Sequence, residues 1–485
     1  MKKGLLVWCF FLVSVKVFGQ QFAQYNTGSL YDSFENPAQR AFIPDTTKQF
    51  AFNFFIPNFS TNFYVAGNGQ AALKTRAFES YYNTANLEIG KGAYNRINLN
   101  ANSYFIMFKL FASEDGDQEA GFSFSTKAEA RGVATDESIA LFNGFKRLNN
   151  ANYTNIFNDQ FFYQAYHQIS FTYREQLTKQ FAFGAKFSAL SGLSYGKVNI
   201  YQSSISLDQT NDAATLSLQG TTYASSAEGQ SNAKKILPSF RNPGAAISIG
   251  TSYRDESGYK WQLNLKDLGF IHWSSKSLIS NFEGSKVLTD FSSSEREKII
   301  TNGLDSLTTG SQVKKGFTSP TNGLLELSIN KTYWIGGDHN FTFSPTIIGS
   351  KEVFYPGFTA ALVAPIQHNN FIGTVTASYN DLKLFNLGVQ FMVKKDNSEF
   401  FIGSERVFQT GQLLGNAIHS ATDPDQTQVL VNQGGFTGMD FYIGVSFKFG
   451  SLIERRLNSS SIPNGDKGFV GKIWDSIFGK KDKNY

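Results

Sequence analysis

The chain has 485 residues, with 48 Phe, 21 Tyr and 43 Gly against 11 Pro and 4 Met, and a formal net charge of +5. Removing Lys2, Lys3 and Lys16 leaves 41 basic residues against 39 acidic ones, a net of +2, so there is no basic field of the kind nucleic acid requires. Mean hydropathy is −0.25, and beyond the N-terminus no apolar run approaches the ~20 residues of a membrane helix.

The N-terminus reads as an export signal. Lys2 and Lys3 form a positive start, Leu5 to Val15 an apolar stretch, and Val17-Phe18-Gly19 a small-residue cleavage site. Cleavage is expected after Gly19, giving a signal peptide at 1–19. Cys9, the only cysteine, lies inside it. The exported chain would then have no thiol, which excludes disulfides, Cys-ligated zinc and thiol catalysis.

Residues 20–47 are polar and irregular, with turn signals at Asn36-Pro37 and Pro44-Asp45. Strand-like alternation follows. Phe50, Phe52 and Phe54 begin it. Residues 102–112 and 118–130 read as a hairpin around Glu114-Asp115-Gly116-Asp117. In 160–176, Phe161, Tyr163, Ala165, Ile169, Phe171 and Tyr173 share one face, and Gln164, Gln168, Ser170, Thr172 and Arg174 share the other. That pattern suits a strand with lipid on one side and water on the other. Residues 180–190 pair with it, and 243–254 with 259–268 make a further hairpin.

Segments 70–90 and 134–147 look helical, as does Ser293 to Ile300 within a polar stretch at 284–318. After residue 322 the strands are closely spaced. The last, MDFYIGVSFKFG, puts Phe441, Ile443, Val445, Phe447 and Phe449 on one face. About 14 strands are expected.

Several short stretches carry a resemblance. SLYDSFENPAQRAF holds the Asn36-Pro37-Ala38 step and resembles the opening of FadL-type long-chain fatty acid transporters and of PorV-like barrels. GAAISIGTSY, LKDLGFIHW, LFNLGVQFMVKK and FFIGSERVF resemble strands of Bacteroidota outer-membrane barrels. The resemblance covers about 22–450. It implies an all-β, FadL-like antiparallel transmembrane β-barrel of 14 strands at 48–450. The N-terminal segment, 20–47, would fold into the lumen as a hatch around Asn36, Pro37 and Ala38. The terminal aromatic that assembly machinery reads would be Phe449, and 451–485 would be a periplasmic linker and tail.

In that tail, Phe469, Val470, Ile473, Trp474, Ile477 and Phe478 are spaced for one face of an amphipathic helix. Three readings stand side by side. The helix packs back on the barrel mouth, docks on the inner leaflet of the outer membrane, or captures a protein partner.

Other chemistry is weaker. Gly192-Leu193-Ser194-Tyr195-Gly196 fits GxSxG, but its neighbours are strand-like where a nucleophile elbow needs a strand, a sharp turn and a helix. His167, His272, His339, His368 and His419 have no metal-ligand spacing, and Glu114 to Asp117 reads as a hairpin turn. No catalytic, metal or cofactor site is expected. The leading expectation is an outer-membrane conduit for a hydrophobic or amphipathic small molecule, with membrane lipid as a partner. The alternatives are a PorV-like barrel that does not transport and has a protein partner, and an outer-membrane acyl hydrolase. An apolar pocket would favour the first. A plugged, polar lumen with an exposed tail would favour the second, and a Ser/His/acid cluster the third.

Overall fold

The computed structural model describes residues 21–42, 48–111, 117–225, 238–309, 312–337, 340–422, 436–450 and 468–478. The expected signal peptide, the end of the hatch segment and the linker at 451–467 lie outside the described residues.

Strands β1 (Phe50–Ala66), β2 (Tyr94–Phe111) and β3 (Gln118–Thr135) are antiparallel neighbours. Stave β4 (Asn152–Thr154, then Gln160–Gln176) pairs with β5 (Phe181–Asp208). Stave β6 is split into Ala213–Ala224 and Pro243–Arg254, which pair with the outer and inner parts of β5. Stave β7 runs through Lys260–Trp273 and Leu278–Thr289, and β8 lies in four pieces between Gln312 and Ile335. Stave β9 (Phe341–Phe343, Thr346–Glu352) leads to β10 (Phe358–His368), β11 (Phe371–Asn380), β12 (Phe385–Lys394), β13 (Ser398–Ser404) and β14 (Phe436–Phe449). The ring closes where β14 pairs with β1, from Phe50↔Phe449 to Ala66↔Phe436.

The sheet contains 21 hydrogen-bonded segments. Seven of these continue a preceding segment of the same stave, so among the described residues the barrel has 14 staves. Closure is obligatory, because hydrocarbon offers no partner to an unpaired strand edge.

The connections at one end of the barrel are short, at 177–180, 255–259, 369–370 and 395–397. Those at the other include 67–93, 136–159 and 290–311. The short-turn end is the periplasmic one.

The long connections fold on themselves. The stretch expected to be helical at 70–90 is helical only over α2 (Gln70–Glu79). Residues 134–147 become α3 (Asp136–Leu141), capped by Thr135, and a turn of 3-10 helix. Helix α4 is Arg296–Thr309. These elements bury Leu87, Ile139, Leu141, Phe291 and Ile300 against Leu216 and Leu218 of β6. The barrel thus carries a packed extracellular cap with its own apolar core.

The face alternation is as the sequence expects. Phe171 and Phe187 point outward with 52% and 57% of their surface exposed, while Thr172 and Lys186 between them are buried inward. Phe50, Phe52, Phe447 and Phe449 stack along the closing seam, with Phe50 and Phe449 centroids 5.2 Å apart. His167 sits on the outward face. Its Nδ1 is 2.8 Å from Thr126 Oγ1 and its ring packs on Phe124. The GxSxG stretch lies wholly within β5.

One expectation needs correcting. The inner face of the periplasmic half does not meet water. Ser170, Thr172 and Ser446 are fully buried, because the N-terminal segment fills that half of the lumen. Arginine at these positions would collide with packed protein. Open lumen lies further out, where Asn98 and Asn100 project from β2. Phe171→Arg should therefore block membrane assembly, since a lipid-facing charge near the midplane costs about 2–4 kcal/mol. Asn98→Arg should assemble normally. Heat-modifiability on gels checks both, and equal behaviour would contradict this assignment of faces.

Candidate functional site

Residues 21–42 enter the barrel as a plug. Its one α-helix, α1 (Leu30–Glu35), is six residues long, too short to hold itself together in water. Ser29 begins it, accepting from Asp32 N at 3.2 Å. Leu30, Tyr31 and Phe34 then pack on Tyr104, Met107, Phe401 and Tyr442 of the wall. Tyr31 and Tyr104 meet edge to face at 5.8 Å.

The barrel wall caps this helix at both ends. At its start, Leu30 N donates to Glu399 at 3.0 Å. At its end, Lys109 Nζ donates to Ser33 O and Lys186 Nζ to Phe34 O, each at 3.2 Å, and Asn264 donates to Glu35 O at 3.1 Å. Anion at the start and cations at the end match the helix dipole and satisfy groups that a short helix leaves open. Further along the plug, Lys394 donates to Gly28 O at 3.0 Å, Ala23 N donates to Glu405 at 2.9 Å, and Arg174 donates to Ala38 O at 2.9 Å.

The expected hatch residues lie within this attachment. Asn36 Oδ1 accepts from Ala38 N at 3.1 Å and closes a tight turn around Pro37. The turn presses against Gly184 of β5 and Gly250 of β6. A Cβ on Gly184 would strike the Pro37 carbonyl, and one on Gly250 would strike Asn36. Only glycine allows that approach.

The charges around the plug form a set of ion pairs that sequence reading did not find. Stave β7 bulges at Lys266 and Asp267, with Asp267 at φ 47°. A bulge turns two consecutive side chains to one face, and here both enter the lumen. Asp267 is shared by Lys127 at 2.5 Å and Lys186 at 3.0 Å, and accepts from Gln168 at 2.9 Å. Lys266 reaches plug residue Glu35 at 2.7 Å and Glu326 at 3.8 Å. Lys109 pairs with Glu119 at 3.5 Å, and Lys448 with Glu399 at 3.3 Å. The readable signal was a lysine at an inward position of an alternating strand, as at Lys186 between Ala185 and Phe187.

Two plug carboxyls respond in opposite directions. Burial alone would raise Glu35, but the ammonium groups of Lys266, Lys127 and Lys186 outweigh it and hold it down at about 2. Burial raises Asp32 to about 6, against the pull of Lys260 and a hydrogen bond from Gly28 N.

Above the plug lies a cavity of about 850 Å³. Tyr25, Tyr31, Asp32 and Glu35 form its floor. Asn98, Asn100 and Asn102 form a ladder up one wall, with Asn100 Nδ2 donating to Asn98 Oδ1 at 2.9 Å. Phe162 and Tyr166 of β4 and Tyr195 of β5 supply aromatic faces on the same side of the lumen, two to three staves along from the ladder. At the mouth Arg131 pairs with Glu352, with Nη2 to Oε1 at 3.0 Å, and stacks on Tyr355 at 4.3 Å. Among the described residues no His, Cys, Asp and Glu cluster suited to a metal occurs. The tail residues Phe469, Val470, Ile473, Trp474, Ile477 and Phe478 lie far from this cavity, in a helix at the periplasmic end.

Because Asp32 is raised in the folded state, its contribution to stability is complete below its ordinary value of 3.8 and is lost as pH rises through about 6. Asp32→Asn should stabilise the fold at pH 8 by on the order of 3 kcal/mol and have little effect at pH 3.5, read in scanning calorimetry as a melting temperature raised only at pH 8. An equal effect at both pH values would contradict the burial argument.

Residues 41–405 match the model of a family of unknown function, DUF5723. No curated protein matches the chain. Among solved structures, the Pseudomonas putida toluene transporter TodX is similar at 11% identity and a TM-score of 0.39, covering 90% of this chain and 96% of TodX. A Pseudomonas aeruginosa FadL homologue is similar at 8% identity and a TM-score of 0.40, covering 88% and 95%.

Proposed function

The chain belongs to the DUF5723 family, and we propose that it serves the outer membrane as a plugged conduit for a small amphipathic molecule. The cavity above the plug carries this reading. Its volume suits a small molecule, and its lining sets the Asn98–Asn102 ladder close to the rings of Phe162, Tyr166 and Tyr195. A plain hydrocarbon would strip water from the asparagines and from Arg131 without replacing their hydrogen bonds, which is unfavourable. A molecule with an apolar body and hydroxyl, amide or carboxylate groups would satisfy both kinds of lining. Of the hydrophobic and amphipathic cargoes expected from sequence, the lining favours the amphipathic class. The plug beneath is the element that must shift for passage to the periplasm.

A second reading draws on how firmly the plug is held. A lumen closed by buried ion pairs also suits a PorV-like barrel that does not transport and acts with a secretion or surface-assembly partner.

Planar-bilayer recording tests the plug, and solute uptake separates the two readings. The full chain should show little or no conductance, and deletion of residues 24–44 should open large, stable steps. Asn98→Ala with Asn100→Ala should weaken uptake of amphipathic solutes into proteoliposomes about tenfold while leaving assembly intact. Unchanged conductance on plug deletion would overturn the conduit reading.

A further inference from the structure

Helix α6 (Val407–Thr422 being α5) spans Phe469–Phe478, and its position is informative. It does not sit across the periplasmic mouth. On the periplasmic parts of β4 and β5, below the register shift at Leu193, the odd-numbered side chains point outward, as Phe171 and Phe187 show. The groups that α6 touches belong to that outward set. Trp474 stacks on Phe181 with centroids 5.5 Å apart. Gly471 N donates to Glu175 Oε1 at 3.0 Å, and Tyr173 Oη donates to Glu175 Oε2 at 2.8 Å. The N-terminus of α6 is therefore fastened to the outer wall of the barrel, beside the short turn at 177–180.

We propose that α6 is an interfacial anchor, lying against the outer wall in the headgroup layer of the inner leaflet of the outer membrane. Three observations support phospholipid as the occupant of its free side. First, Glu175 is an anion on the lipid-facing surface, a position that is unfavourable unless the charge is satisfied. It is only 3% exposed, covered by α6, whose N-terminal N–H groups and dipole are suited to a carboxylate. Second, the contact surface is continuous with the barrel's apolar belt, since Phe171 and Phe187 lie further up the same two staves. Third, Ile473 is 43% exposed and Lys472 is exposed beside it. An apolar group next to a cation is the pairing that an interfacial helix presents to acyl chains and phosphates.

The test uses spin labels in the full chain reconstituted in phosphatidylethanolamine and phosphatidylglycerol vesicles. Cys9 is the only native cysteine, so with Cys9→Ser each introduced cysteine is a unique site. Ile473→Cys is compared with Phe171→Cys in the lipid belt and Glu256→Cys in the exposed turn at 255–259. The label at position 473 should collide more with oxygen than with an aqueous nickel chelate, at a depth between those of the two references. Glu175→Ala, which leaves the barrel heat-modifiable, should move that label to the aqueous behaviour of the Glu256→Cys reference. An aqueous label in the otherwise native chain would overturn the proposal. So would a label shielded from both reagents, since protein would then cover the helix. A label whose depth does not respond to Glu175→Ala would overturn the role given to Glu175.

Discussion

A charge folded into the lumen of this barrel must find its opposite there, because little water reaches it. Lys127 and Lys186 share Asp267, Lys266 lies between Glu35 and Glu326, and Lys448 answers Glu399. The plug completes this set. It contributes Glu35 and the carbonyls of Ser33, Phe34 and Gly28 on which Lys109, Lys186 and Lys394 end. Buried pairs of this kind add little net stability relative to apolar packing, but losing one partner is costly. Their main consequence is therefore register. The six-residue helix has one position in which every cation and carbonyl is matched, and that position fixes the floor of the cavity above it.

The outer face of the fold was legible because lipid imposes a strict period of two. β4 and β14 showed their outward and inward sets in the sequence alone, and the stave number followed from the spacing of such stretches. That the N-terminal segment fills the inside followed from the resemblance around Asn36-Pro37-Ala38, and the strands themselves gave no sign of how far it reaches. An inward Ser170 or Thr172 looks the same whether it meets water or a plug, since both demand a small polar side chain. The bulge at Lys266-Asp267 was also hidden, because nothing in LKDLG distinguishes a bulged strand from a regular one. The Asn98, Asn100, Asn102 alternation was present in the sequence, but its meaning depends on the plug stopping below it. Likewise the tail's apolar spacing was visible, while the wall it rests on depends on Glu175 pointing outward.

The architecture separates three jobs. The staves satisfy the membrane, the extracellular connections build an apolar cap, and the lower lumen holds the plug by charge. Between cap and plug remains a space lined by the asparagine ladder and, two to three staves along, by aromatic rings. This arrangement makes the plug both the floor of the binding space and the barrier beneath it. A solute on that floor lies against Tyr31, Asp32 and Glu35, so it touches the element that must move.

The central claim is that the plug is an integral, charge-matched part of the folded barrel. Hydrogen–deuterium exchange of the full chain in bilayers tests it most directly. The account predicts that amides of residues 30–41 exchange as slowly as those of β4 and β5, and that Lys109→Met with Lys186→Met accelerates residues 30–41 selectively. Exchange of that segment at the rate of an unstructured chain, with the staves protected, would contradict it.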